Sequence, residues 1–184
     1  MSKLMIIVGS VREGRAALPI AEWVRDTAVA DGRFEVDFAD LKEIALPLMD
    51  EPNHPRTRKY TKPYTLAWSE RVEAADAFLF VFPEYNHSYS PAIKNALDYL
   101  VLEWDRKPVG FVNWGGNSGG TRAQAALRPV VVSLGMIMTH GQVEINFPKI
   151  DDGAFSPSEQ QAGVLQAQLD ELARLDGTLR PVRA

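Results

Sequence analysis

Five stretches of the chain carry the apolar patterning of β-strands, and they alternate with stretches whose apolar residues recur at helical spacing. Leu4-Met5-Ile6-Ile7-Val8 and Phe78-Leu79-Phe80-Val81-Phe82 are apolar at every position, as in strands covered on both faces. Pro108 to Trp114 reads the same way. Phe34-Glu35-Val36-Asp37-Phe38-Ala39 alternates apolar with acidic residues, which predicts a half-exposed strand at a sheet edge. Met136 to Glu144 is a weaker strand and the other expected edge.

Between these lie the predicted helices. The first runs from about Ala16 to Ala30, with Ala17, Ile20, Ala21, Val24 and Ala28 on one face, Pro19 in its first turn and Asp31-Gly32 as its stop. A second spans roughly Tyr64 to Ala74, with Trp68, Val72 and Ala75 on one side. Ser90 caps a third, Pro91 occupies its first position, and Ile93, Ala96, Leu97, Leu100 and Trp104 predict that it runs from 92 to 104. Thr121 is the expected cap of a fourth, whose buried face is Ala123, Leu127, Val130, Val131 and Leu134 and which Pro129 should bend. Ser156-Pro157-Ser158-Glu159 has the form of a capping box for the last helix, which carries Leu165, Leu169, Leu172 and Leu175 and is expected to end at Gly177. Residues 42–63 hold four prolines and little periodicity; so long a connection is usually functional or mobile.

Strands alternating with helices predict an α/β, doubly wound, five-stranded parallel sheet with helices on both faces. The two edge-like strands are the second and fifth, which agrees with the flavodoxin-like order 2-1-3-4-5. One domain over 1–184 is expected from the length.

Composition narrows the function. With 46% apolar and 24% charged residues the chain reads as a soluble globular protein. A net charge of −4 with scattered basic residues argues against nucleic-acid binding. The absence of cysteine excludes disulfides, thiolate nucleophiles, Cys-ligated zinc and iron–sulfur clusters. No apolar run approaches a membrane span, and the first strand starts too close to Met1 for a cleaved signal, so the expected location is cytoplasmic. The sequon Asn86-His87-Ser88 then has no use.

Candidate chemistry gathers in three loops that follow the three central strands, at the end of the sheet where ligands sit in such folds. Loop 9–15 leads into a helix N-terminus, and its Ser10, Arg12 and Arg15 suit a phosphate; a capping serine beside two solvated arginines is the plainer alternative. It is neither a Walker A loop nor a GxGxxG fingerprint. Loop 83–90 offers Tyr85 and His87 to a flat heteroaromatic ring, with Asn86 and the backbone amides for its nitrogens and carbonyls. Glu84 there is a ligand contact, a solvated acid or a helix-capping partner. Loop 114–120 has four glycines, which let backbone approach a ligand closely. Asp50, Glu51 and His54 share one loop, which reads as solvated rather than metal-binding. No catalytic triad, carboxylate pair or metal cluster emerges.

Three segments resemble the NADPH-dependent FMN reductase family of the flavodoxin-like fold, which includes quinone, azo-dye and chromate reductases. They are Gly9-Ser10-Val11-Arg12-Glu13-Gly14-Arg15, similar to a G-S-x-R-x-G-R phosphate loop; Pro83-Glu84-Tyr85-Asn86-His87-Ser88 with Lys94-Asn95-Ala96-Leu97-Asp98, similar to P-E-Y-N followed by K-N-A-[IL]-D; and the loop of Gly115, Gly116, Gly119 and Gly120. The resemblance implies FMN held at its phosphate by Ser10, Arg12 and Arg15. It implies an isoalloxazine met by Pro83, Glu84, Tyr85, Asn86 and Ser88, with Gly115, Gly116 and Gly119 also beside the flavin. NAD(P)H is then the co-substrate in a ping-pong reaction, the flavin carries the hydride, and a quinone, free flavin or other small molecule is the acceptor. A flavodoxin-type electron carrier without nicotinamide activity is the alternative. Residues 88–91 and Trp114 depart from the family pattern, and the likeness fades after Met136. Family members associate, so a homodimer or homotetramer is expected; Tyr99, Val101 and Leu102 add apolar width to their helix, unless residues 42–63 cover them.

Overall fold

The computed structural model describes residues 1–183. Its elements, in chain order, are β1 (Ser2–Val8), α1 (Ala17–Asp31), β2 (Phe34–Asp40), the single turn α2 (Leu41–Ile44), α3 (Pro63–Glu73), β3 (Ala77–Pro83), α4 (Pro91–Asp98), β4 (Pro108–Gly115), α5 (Thr121–Ser133), β5 (Ile137–Met138), β6 (Val143–Asn146), β7 (Ile150–Asp151), β8 (Ala154–Phe155) and α6 (Glu159–Leu179). The main sheet is parallel in the order β2-β1-β3-β4-β5, and β6 also pairs with β4. This is the flavodoxin-like order.

Alternate strand residues divide the core into two layers. Met5, Ile7, Phe78, Phe80, Phe82 and Phe111 pack with Trp68, Leu97, Trp104 and Leu127 of the α3, α4 and α5 side. Leu4, Ile6, Leu79, Val81 and Val112 pack with Ile20, Val24, Leu165 and Leu169 of α1 and α6. Every residue of β3 is buried, which is why that run has no polar alternation.

Three expected elements are corrected, the last of them at both ends. The strand at 136–144 is two short segments. Where the ladder would continue, the Gln142 side chain accepts from Phe111 N–H at 2.5 Å and donates to Thr139 O at 2.7 Å, so a side-chain amide stands in for backbone pairing. The helix expected over 92–104 stops at Asp98, and a separate 3₁₀ turn covers Leu102–Trp104. There the buried Glu103 carboxylate accepts from Val101 N–H at 3.3 Å, while Trp104 still reaches the core. The capping box of α6 forms two residues later than expected, between Ser158 and Gln161. Gly177 does not end that helix, because Asp176 accepts from Ser2, Arg180 and Arg183 and secures the next turn. The β7–β8 hairpin, which sets Phe155 against Trp23 of α1, was not foreseen.

The connection 45–62 is an ordered strap. Glu103 accepts from Tyr60 (2.8 Å) and Arg58 (3.2 Å) of the strap and from Ser69 (2.7 Å) of α3. Glu51 accepts from the N–H groups of Thr61 and Lys62 at the start of α3, both at 2.9 Å. Asp50 accepts from Tyr64 at 2.6 Å, and His54 Nδ1 from Arg56 N–H at 3.2 Å, so these three polar groups serve separate backbone and side-chain partners. Tyr99 is fully covered and donates to Pro47 O at 3.0 Å; the strap takes up that part of α4's apolar width. Among the described residues, no helix is long and apolar enough to cross a membrane.

Candidate functional site

At the carboxyl end of β1 the chain turns through loop 9–15 against the start of α4. A side chain at position 9 would put Cβ 2.3 Å from Ile93, so only glycine allows this approach. Gly9 N–H donates to Val81 O at 2.8 Å, and Ser90 Oγ, which caps α4, donates to Gly9 O. The loop is thereby pinned to both β3 and α4. Among the described residues, no protein acceptor meets the backbone N–H groups of Ser10 to Gly14. Such a run of free donors just ahead of α1 suits an anion.

The predicted site residues fall into different surroundings. Ser10 is buried, and its hydroxyl lies 2.9 Å from the Tyr85 hydroxyl, which joins loop 9–15 to loop 83–90. Arg15 turns away to Asp40 at the end of β2, pairing both terminal nitrogens with that carboxylate and also donating to Ser10 O. Arg12, by contrast, is exposed and lines the neighbouring cleft.

Beyond Pro83, the last residue of β3, Tyr85 and Ser88 exchange backbone hydrogen bonds at 2.8 and 3.0 Å around Asn86 and His87. The φ angles of those two are +48° and +68°, the left-handed pair of a type I′ turn. Asparagine tolerates that region; a histidine there is held by the surrounding hydrogen bonds.

Glu84 is the helix-capping partner among its three readings. Its carboxylate accepts from Ser118 Oγ at 2.7 Å and Arg122 N–H at 3.2 Å, with Arg122 Nη1 at 3.3 Å. The expected Thr121 cap is therefore a correction: Thr121 is the first helical residue and the acid from the neighbouring loop does the capping. Burial favours the protonated carboxyl, but the Ser118 hydroxyl, the first N–H groups of α5 and the Arg122 guanidinium outweigh it and hold Glu84 below the ordinary carboxylate range. Glu84 N–H also donates to Trp114 O at 2.7 Å. A Cβ on Gly115 would stand 3.1 Å from Gly120 N and 3.2 Å from Glu84 Cβ, so the glycine loop folds tightly behind Glu84. Asn113 Nδ2 donates to Gly119 O at 3.0 Å and Asn146 Nδ2 to Gly116 O at 3.1 Å.

A cleft of about 510 Å³ opens between the loops, lined by Arg12, Glu84, Tyr85, Asn86, Tyr89 and Pro91. That volume suits a small ligand or cofactor. Gly115, Gly116 and Gly119 are not part of its lining: Gly115 stands behind Glu84, while Gly116 and Gly119 face Phe147 and Asn146; Pro83 and Ser88 shape it through backbone. The donor set fits a phosphorylated planar group: free amides, a hydroxyl and one exposed guanidinium at one side, tyrosines and an amide at the other. Asp40, Asn113, Ser118 and Arg122 support the site and were missed from sequence. Each acts on a partner through the fold, with no local spacing to reveal it.

The chain is similar to known proteins in sequence and in fold. The NADPH-dependent FMN reductase family model matches residues 2–148. An NAD(P)H-dependent FMN reductase of Schizosaccharomyces pombe is 34% identical, over 94% of this chain and 90% of that protein. An NAD(P)H:quinone oxidoreductase of Solanum tuberosum is 31% identical, over 89% of this chain and 82% of its own. Among solved structures, the flavoenzyme NAD(P)H:(acceptor) oxidoreductase FerB of Paracoccus denitrificans superposes with a TM-score of 0.77 at 25% identity, covering 97% of this chain and 99% of that one.

Proposed function

The chain belongs to the NADPH-dependent FMN reductase family, and from that premise we propose that it is an FMN-dependent NAD(P)H oxidoreductase passing reducing equivalents to a quinone, free flavin or other small acceptor. The observation that carries the reading is the 2.9 Å contact between Ser10 and Tyr85, which brings an anion-binding loop and a ring-binding loop to one cleft. When bound, FMN takes a hydride from NAD(P)H and delivers its electrons to the acceptor.

The residues of this chain bind and orient. The free N–H groups of Ser10 to Gly14 and the Arg12 guanidinium would hold the phosphate. Ser10 would exchange its Tyr85 partner for a phosphate oxygen, and Arg15, neutralised by Asp40, would keep the Ser10 carbonyl in place. Backbone around Pro83, Glu84, Tyr85, Asn86 and Ser88 would meet the ring, with Gly115, Gly116 and Gly119 behind it. The N–H groups of Asn86 and His87, which meet no protein acceptor among the described residues, would stabilise negative charge there with no titrating side chain, so no acid or base is assigned. One open cleft serves nicotinamide and acceptor in turn, which is the structural requirement of a ping-pong sequence.

The test is to purify the protein with excess FMN, record its visible spectrum, and assay NADPH and NADH against a panel of quinones. Flavin absorbance with turnover is expected; bound flavin without turnover describes an electron carrier. A cytoplasmic homodimer or homotetramer completes the proposal. Its support is the family, together with Leu102 and Val132, which stay 45% and 64% exposed. A monomer mass by light scattering at micromolar concentration would refute association.

A further inference from the structure

Beside the cleft lies a smaller recess of about 190 Å³, lined by Val11, Leu41, Leu46, Leu48, Pro91 and Ala92. Pro91 lines both hollows, and Val11 directly precedes Arg12 of the cleft, so the two share a wall. Among the described residues, the only polar side chain at the recess is Asn95, and it is already engaged. Its Nδ2 donates to Pro47 O at 2.7 Å and its Oδ1 accepts from Met49 N–H at 2.9 Å. Tyr99 adds a third bond to Pro47 O at 3.0 Å. These bonds clamp the strap on both sides of Leu48, whose side chain is 82% exposed. An exposed leucine on a free loop is ordinary; this one is fixed at the rim of an apolar hollow that adjoins the cleft.

We infer that the recess seats the alkyl substituent of a quinone acceptor whose ring occupies the neighbouring cleft. The inference rests on the proposed function and extends it to the acceptor's chemical class. A nicotinamide dinucleotide is a poor occupant, because its phosphates and adenine need polar partners and this lining holds no charge. An alkyl chain asks only to leave water. Full burial of one methylene is worth about fourfold in affinity, and 190 Å³ is roughly six times the share of one water molecule. A short chain therefore fills the space and a longer one gains nothing more.

The experiment uses the FMN-loaded full chain with NADPH and a series of benzoquinones carrying methyl, butyl, hexyl and decyl groups, which share one ring chemistry. The KM should fall about tenfold or more from methyl to butyl or hexyl and then level off. Leu48→Ser should raise KM for the longer members while leaving the methyl compound unchanged, and Leu48→Trp should flatten the series by filling the hollow. Because Leu48 is exposed, neither substitution disturbs the core. Bleaching of the bound flavin by NADPH alone is followed in parallel. Bleaching with a flat series in the wild type overturns this inference alone; absence of bleaching overturns the parent reading as well. An equal loss for all acceptors in Leu48→Ser, with a changed mass by light scattering, would assign the recess to a second copy of the chain and overturn the inference too.

Discussion

Arg12 and Arg15 leave the same loop with different tasks. Both terminal nitrogens of Arg15 face Asp40 in a buried pair, whereas Arg12 stands exposed at the cleft. An arginine whose charge is already neutralised adds little to an incoming dianion. Arg12→Ala should therefore weaken FMN by roughly ten- to a hundredfold, the value of about 1.5–3 kcal/mol for a charge-assisted bond. Riboflavin, which lacks the phosphate, should bind as before in the same fluorescence-quenching titration. Glu84 acts through the glycine loop, and Glu84→Ala should lower the unfolding free energy by about 1–2 kcal/mol, the worth of an N-cap. Its carboxyl is held below the ordinary range, so this contribution is complete above about pH 4.5 and is lost as pH falls below that. Urea titrations of wild type and variant should converge in acid. The residue types were legible in the loops, whereas their partners were not: Asp40 and Ser118 meet Arg15 and Glu84 only once neighbouring strands are side by side.

Two buried carboxylates order the strap 45–62: Glu103, in the 3₁₀ turn after α4, holds Arg58 and Tyr60, and Glu51 closes the strap on Thr61 and Lys62. Burial opposes ionisation of Glu103, but Ser69, Tyr60 and the Arg58 charge hold its carboxyl below the ordinary range, and Thr61 and Lys62 N–H groups do the same against burial for Glu51. Glu103→Ala should cost roughly 1–3 kcal/mol, because it leaves the half-buried Tyr60 and Ser69 hydroxyls without their acceptor. It should also raise amide exchange across the strap, read by hydrogen-exchange mass spectrometry, with little change in β1, β3 and β4. Apolar spacing could not foretell where α4 stops, since Leu97, Leu100 and Trp104 reach the core equally from a continuous helix or a broken one. The carboxylate that decides the matter lies inside the same run and reads as a solvated residue. Likewise 136–144 has a strand's composition, and only the Gln142 amide, placed against β4, divides it.

For the whole molecule, strand burial sets the sheet order, and this was the most legible feature. Continuous apolar runs can only be central, and the alternating run 34–39 can only be an edge. The opposite end of the sheet carries a group that sequence gave no reason to single out. Lys107 donates to Val72 O at 3.0 Å and Glu73 O at 2.9 Å at the end of α3, and burial brings its pKa down to about 8. The unfolded chain, with an ordinary lysine near 10.4, binds the proton more tightly between those values. Stability should therefore rise with pH from about 8 towards 10, by up to roughly 3 kcal/mol, with the penalty present in full below that window. Lys107→Met should show no such rise in urea titrations at successive pH values. In the proposed function, three loops at the carboxyl ends of β1, β3 and β4 would hold FMN where a nicotinamide can reach it. The most direct test is anaerobic stopped-flow mixing of the FMN-loaded protein with excess NADPH, following the visible flavin absorbance. Bleaching in a single turnover, faster than that of free FMN under the same conditions, is the predicted result. Bound flavin whose absorbance persists with both NADPH and NADH, or a protein that retains no flavin at all, would rule out the proposed function.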